Sequence, residues 1–232
     1  LSAAIMLTIY LFFRKRSAFR LPIKGILFAC LYGIICFAIG MSFYSLSVDN
    51  IPISVATVLM FSNPIWATLF GKIFFGDPIS KKKLVIMTLC LIGCMCIIDV
   101  FSARGAELNM IGVLAGILNG MTFSLQIVLP RFVENKLSKD SLLFYGFWAA
   151  TICLAFFVDI GDITSKVANS GRPYFYIAHL LAIGILCTFV AITLYVNSTK
   201  YLGTSLPSMM SALEPVFASI IAYMVFSEVM KP

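Results

Sequence analysis

Charge is what this sequence has least of. Only 12% of its 232 residues are Asp, Glu, Lys or Arg, about half the share of an ordinary soluble domain, and there is one histidine. That scarcity, with 61% apolar residues and a mean hydropathy of +1.01, excludes a soluble globular domain and a disordered chain. The apolar excess is not one anchor, because 21 Phe, 9 Tyr and 11 Met are spread along the whole length. Other absences exclude chemistries. No Gly-x-x-x-x-Gly-Lys-[Ser/Thr] run is present, so the chain does not itself hydrolyse ATP. The rival reading, an intramembrane enzyme acting on a lipid or small molecule, would need paired acids, an HExxH helix or a Ser/His set at membrane depth. One His and one mid-span Glu do not supply them. The seven cysteines lie inside apolar runs and are odd in number, which speaks for soft packing residues and against a disulfide frame. Cys90, Cys94 and Cys96 have no His at metal-ligand spacing, so no metal and no cofactor is expected.

What the sequence does have is long uncharged stretches. Residues 25–48, 50–71, 84–98, 108–130, 141–158, 173–199 and 201–227 read as seven spans, the last interrupted only by Glu214. A helix needs about 20 apolar residues to cross the hydrocarbon core, and continuous runs favour helices over a barrel. Residues 1–13, LSAAIMLTIYLFF, read as the tail of an eighth. Alternate loops differ in charge. One side carries twelve basic residues, including Arg14, Lys15, Arg16, Lys81, Lys82 and Lys83, and the other carries four. Positive loops stay inside, so the RKR and KKK loops are expected in the cytoplasm of a multi-pass plasma- or inner-membrane protein. The net charge of +7 is explained by that asymmetry; no aromatic-interleaved basic face speaks for nucleic acid.

At an offset of 151, residues 26–80 align with 177–231 without a gap, and ten of the 55 pairs are identical. Tyr44/Tyr195, Pro64/Pro215 and the acids Asp77/Glu228 fall in this one register. An odd number of spans separates the copies, so the second copy runs through the membrane in the opposite direction. Inverted repeats of this kind are a signature of secondary transporters. The expected fold is an all-α integral membrane protein of inverted five-helix repeats, a ten-helix plan of which roughly eight helices are present. The expected division is residues 1–103, lacking a first helix, and 104–232, lacking a last one.

The segments FSNPIWATLFGKIFFGD (61–77) and ALEPVFASIIAYMVFSE (212–228) carry a proline inside an apolar helix, small residues a turn later, and an acid thirteen positions on. In this they resemble the fourth and ninth helices of the EamA-type branch of the drug/metabolite transporter superfamily. The order and loop lengths of the whole chain are similar too. The family usually shows Gly-Glu at the helix end, where this chain has Gly76-Asp77 and Ser227-Glu228. The resemblance implies export or facilitated passage of a metabolite or drug-like molecule, often an amino acid, often outward.

Candidate site residues follow from cost and spacing. A carboxylate near mid-bilayer is expensive and usually lines a substrate or ion path, which singles out Glu214. It precedes Pro215, and its repeat partner Asn63 precedes Pro64. Trp66 and Phe70 share a helical face with Asn63, as Phe217 does with Glu214, and these aromatics would wall a cavity. Asn119, Thr122 and Gln126 form a polar stripe on span 108–130, beside Gly112, Gly116 and Gly120, whose spacing suits close helix packing. Tyr44 and Tyr195 are symmetric gate or cavity candidates near span ends. His179, the lone histidine, reads as interfacial rather than as a proton relay. The expected function is secondary transport of a small organic solute by alternating access, with a midplane site and Glu214 as the acid available for proton coupling. The expected partners are that solute and the bilayer; nothing in the sequence points to one oligomeric state.

Overall fold

Prolines, glycines and short polar runs decide where the helices start and stop. The computed structural model describes residues 1–14, 19, 21–97, 109–134, 136–158, 160–169, 171–211, 213, 214, 216, 217, 220, 221 and 224. Outside them lie Lys15 and Arg16 of the RKR loop, the expected boundary at 103/104, Pro215, and the acid Glu228 of the repeat pair. The described residues form helices and turns and no strand. In chain order these are α1 (Ser2–Arg14), α2 (Ile23–Gly33), α3 (Gly40–Asn50), α4 (Ile53–Met60), α5 (Asn63–Phe75), α6 (Lys81–Ile97), α7 (Met110–Phe132), α8 (Lys139–Ala155), α9 (Ile160–Ala168), α10 (Pro173–Ala182), α11 (Ala191–Leu202) and α12 (Ser205–Ser211). Wide π-type turns join α2 to α3 over Ile34–Ile39 and α10 to α11 over Ile183–Val190. Among the described residues, four helical paths are long and apolar enough to cross a membrane: Ile23–Asn50, Val55–Phe75, Met110–Phe132 and Pro173–Leu202. Each of the other expected spans holds a shorter helix.

The local chemistry is legible. α5 starts with Pro64 in its first turn, where the missing N–H costs nothing, and ends on Gly76 in the left-handed region at φ 69°. There the Asp77 N–H donates to the Gly71 carbonyl at 3.2 Å, closing off the last carbonyls. α8 opens on Ser138, whose hydroxyl accepts from the Ser141 N–H at 3.1 Å, and Asp140 in its first turn suits the helix dipole. The expected span 50–71 is in fact two helices that run on to Phe75, broken by a turn at Phe61 and Ser62. The short α9 was not expected. It carries an Asp162–Lys166 ion pair on an exposed face between two apolar helices.

The chain packs as two compact units, residues 1–39 with 129–198, and residues 40–128 with 199–232. In the first, α2 crosses α8 so closely that a β-carbon on Gly33 would collide with the Gly146 backbone. The Tyr32, Phe37 and Phe147 rings stack beside that crossing at centroid separations of 5.5 and 5.1 Å. Trp148 of α8 donates its indole N–H to the Thr8 hydroxyl of α1 at 3.0 Å. α1 in turn meets the second wide turn, where a β-carbon on Gly184 would strike Ser2. Gly33 and Gly184 are one pair of the 151 offset, and the wide turns that follow them overlap in the same register. In the second unit, α7 lays its glycine stripe against α3 and α4. Ser47 donates to the Gly112 carbonyl at 2.9 Å, and a β-carbon on Gly120 would lie 2.6 Å from the Ser62 hydroxyl. With no hydrophobic drive between helices in lipid, such close approach is what holds them together.

Replacing Gly33 by Leu should therefore lower the thermal stability of the purified protein by roughly 1–3 kcal/mol, the usual range for overpacking a filled site. Leu27→Ala, on the exposed side of the same helix, should stay within about 0.5 kcal/mol of the parent. Thermal unfolding in detergent measures both. Equal melting of Gly33→Leu and the parent would contradict the α2–α8 crossing.

Candidate functional site

The second unit contains two helix breaks built alike. Before Asn63, the Ser62 N–H donates to the Leu59 carbonyl at 3.1 Å and Ile65 N–H to the Ser62 carbonyl at 3.0 Å. Before Glu214, the Leu213 N–H donates to the Met210 carbonyl at 3.1 Å and Val216 N–H to the Leu213 carbonyl at 3.0 Å. Every one of these positions is paired with its counterpart by the offset of 151. The cause is the same in both: proline has no N–H to give the carbonyl four residues back, so the chain tightens to three-residue bonds. Asn63 and Glu214 are thus the first residues of the two helical segments that resume after the breaks.

The breaks are tied together. The Asn63 side-chain amide reaches the Ser211 hydroxyl at 3.3 Å, three residues before Glu214. Ser211 donates its own hydrogen to the Ser208 carbonyl at 2.8 Å, so it can only accept from Asn63. That fixes the amide orientation and leaves the Asn63 carbonyl oxygen buried without a hydrogen-bond partner. Ser62 works similarly, donating to the Leu59 carbonyl at 2.6 Å and accepting from the Trp66 indole N–H at 3.2 Å. The Trp66 ring is held in place by this bond, 6.2 Å from the Phe70 ring, which lies 5.9 Å from that of Phe74.

Of the sequence-derived residues, Asn63, Trp66 and Phe70 lie along α5, and Ser211 brings the Glu214 turn to Asn63. Glu214 and Phe217 are exposed on the protein surface rather than enclosed. Asn119 is buried next to Gly120, the residue that meets Ser62, and its amide nitrogen has no partner. Gln126 is buried two turns further along the same face of α7. Tyr44 is half-buried on α3, one turn from the Ser47 that bonds α7. Tyr195 is half-buried and belongs to the other packing unit. His179 places its Nδ1 2.8 Å from the Phe175 carbonyl of its own helix. Ser62 and Ser211 were missed. Their signal was present: each lies within three residues of a polar residue followed by proline.

The chain resembles known proteins over nearly all its length. It is 23% identical over 187 residues to an uncharacterized transporter of Archaeoglobus fulgidus, covering 80% of this chain and 63% of that protein. It is 22% identical over 221 residues to the uncharacterized transporter YdfC of Bacillus subtilis (strain 168), covering 94% of this chain and 70% of that one. The chain thus spans less than two thirds of the first relative's length. A solved crystal structure, 14% identical, superposes on 99% of this chain and 77% of its own with a TM-score of 0.77, which speaks for the fold alone. The model of the EamA-like transporter family matches residues 1–99 and 110–232. The chain is a multi-pass membrane protein that belongs to the EamA-like transporter family.

Proposed function

We propose that the chain works as a secondary transporter, an exporter or facilitator moving a small organic solute by alternating access, with its site at the two paired helix breaks. The observation that carries this reading is the Asn63–Ser211 contact, which joins the two breaks in one packing unit. Discontinuous helices are where transporters of inverted-repeat design bind their substrates, because backbone and side-chain polar groups are freed there from helical bonding. The energetics fit a switch. A side-chain hydrogen bond between membrane helices is worth about 0.6 kcal/mol on average, so a solute can exchange it for its own bonds at little cost. A proline-broken helix has lost one ladder bond, so tilting one half against the other breaks few others. Asn63 is fully buried, so the solute reaches it only when α5 moves against the Ser211 turn.

Energy comes from the solute's own gradient or from protons, with Glu214 carrying the proton in the second case. The protein sits in the plasma or inner membrane with the KKK loop inside. The partners in this reading are the solute and the bilayer.

Full-length protein in liposomes should accumulate a labelled metabolite from a broad panel with no nucleotide added. If no solute moves while a lipid product accumulates, the reading is wrong and the intramembrane enzyme takes its place. Asn63→Leu should cut uptake at least tenfold while the melting temperature moves by only a few degrees, because the bond it removes is weak. Unchanged uptake would take the breaks out of the mechanism. In a cysteine-free background, Ser165→Cys on α9 should react with a membrane-impermeant maleimide added to intact cells, and Ser80→Cys should react only after lysis. The reverse pattern would invert the topology.

A further inference from the structure

Among the described residues, the two breaks carry hydrogen-bond acceptors and one formal charge, the Glu214 carboxylate. Among the described residues of the second unit, the other ionised groups are Asp49, Lys72, Asp77, Lys81, Lys82, Lys83 and Lys200. All of them sit in the last turn of a helix, in the first turn of α6, or in the loop between α5 and α6. Glu214 instead falls at the centre of the otherwise uncharged stretch 201–227. The nearest cation along α5, Lys72, is nine residues from Asn63, about 13 Å at the helical rise.

The neutral groups point the same way. The Asn63 carbonyl oxygen is fully buried, one hydrogen bond away from the Ser211 turn that leads to Glu214, and has no donor. A buried acceptor left unpaired costs about 1–3 kcal/mol, which a donating solute would recover. The Trp66 and Phe70 rings run along the same helix face, and aromatic faces attract cations. The orphan groups of the unit also include a donor, the buried amide nitrogen of Asn119, which precedes Gly120 on α7. It asks for a neutral acceptor on the solute, such as a hydroxyl or carbonyl oxygen. A free solute carboxylate would meet the Glu214 carboxylate, and among the described residues of the unit the cations stay at helix ends.

We infer that this site selects solutes of net charge +1: a protonated amine carrying a hydroxyl or carbonyl acceptor near the nitrogen and an apolar body, in preference to zwitterions and anions. The amine faces Glu214 and the Asn63 carbonyl, the acceptor faces Asn119, and the body lies on Trp66 and Phe70. The inference rests on the transport reading above and is narrower than it.

Three probes of the same body separate the charges: phenylalaninol as the cation, phenylalanine as the zwitterion and N-acetylphenylalanine as the anion. Trp66 reports on binding, since Trp148→Phe leaves it as the single tryptophan of the two in the chain. Full-length protein should show saturable change in Trp66 fluorescence with phenylalaninol at a Kd at least tenfold below that of phenylalanine, and none with the anion. In liposomes of the parent protein, unlabelled phenylalaninol should inhibit uptake of the transported panel solute in the same order. Glu214→Gln should flatten the series, weakening phenylalaninol about tenfold, and Glu214→Asp, which keeps the charge, should preserve the order. Equal or tighter binding of phenylalanine or its acetyl derivative, no binding by any of the three, or an unchanged series in Glu214→Gln would each overturn the inference. Uptake of a zwitterion or anion from the panel without phenylalaninol inhibition would overturn it while leaving transport standing. Uptake of nothing would remove the transport reading itself and this inference with it.

Discussion

In hydrocarbon, a backbone carbonyl that loses its donor has no water to turn to, and a helix interrupted there must satisfy itself locally or against protein. Pro64 and Pro215 impose that condition at two points. The chain answers identically at both, with a pair of i→i−3 bonds at 3.1 and 3.0 Å. The answer is local, so it leaves the following residue at a fresh helix start with its side chain uncommitted to the ladder. Asn63 and Glu214 occupy those starts, and the site grows from them: Ser211 accepts from one, and the turn it opens carries the other.

The breaks would collapse without tight support, and glycine supplies it. Gly120 admits the Ser62 turn to within contact of α7, and Gly116 does the same for Leu59 one turn away. The stripe that looks like a packing motif is therefore also what seats the break. In the first unit, Gly33 and Gly184 do a comparable job for the two wide turns. A wide turn frees carbonyls much as a proline does, but it keeps the helix running, so these regions are bends and not interruptions.

Much of this was legible as one-dimensional pattern. Uncharged stretches located the long helical paths, because lipid solvation acts on each residue separately. The offset of 151 marked Asn63 and Glu214 as equivalent, and the hydrogen bonds around them coincide position by position. Contacts were not legible. Ser62 and Ser211 look like ordinary polar residues of an apolar helix until the breaks turn Ser62 to the Trp66 indole and Ser211 to the Asn63 amide. The wide turns have no residue signature beyond a glycine at or just before their start, since a single added residue per turn is a matter of packing. α9 was hidden because Asp162 and Lys166, four residues apart, read as loop charges and not as a helical ion pair. Tyr195 shows the limit of symmetry as a guide: its partner Tyr44 lies in the unit that holds the breaks, and Tyr195 does not.

The scarcity of charge then acquires a mechanical meaning. A chain rich in charge could balance Glu214 with a nearby lysine, and the pair would settle into a permanent bridge that holds the breaks shut. Here the described lysines of that unit stay in the first or last turn of a helix, from where long side chains can reach the interface. A carboxylate in mid-span costs on the order of 2.5–3.5 kcal/mol at a helix centre, and the start of a helix offsets only part of that. In the proposed reading the remainder is relieved by whatever cation arrives, proton or amine. A site that depends on a transient cation releases it when the breaks move, whereas a built-in lysine would have to be dragged along. The weak Asn63–Ser211 bond fits the same proposal: a tie of that strength across the breaks is one that a solute's own hydrogen bonds could replace.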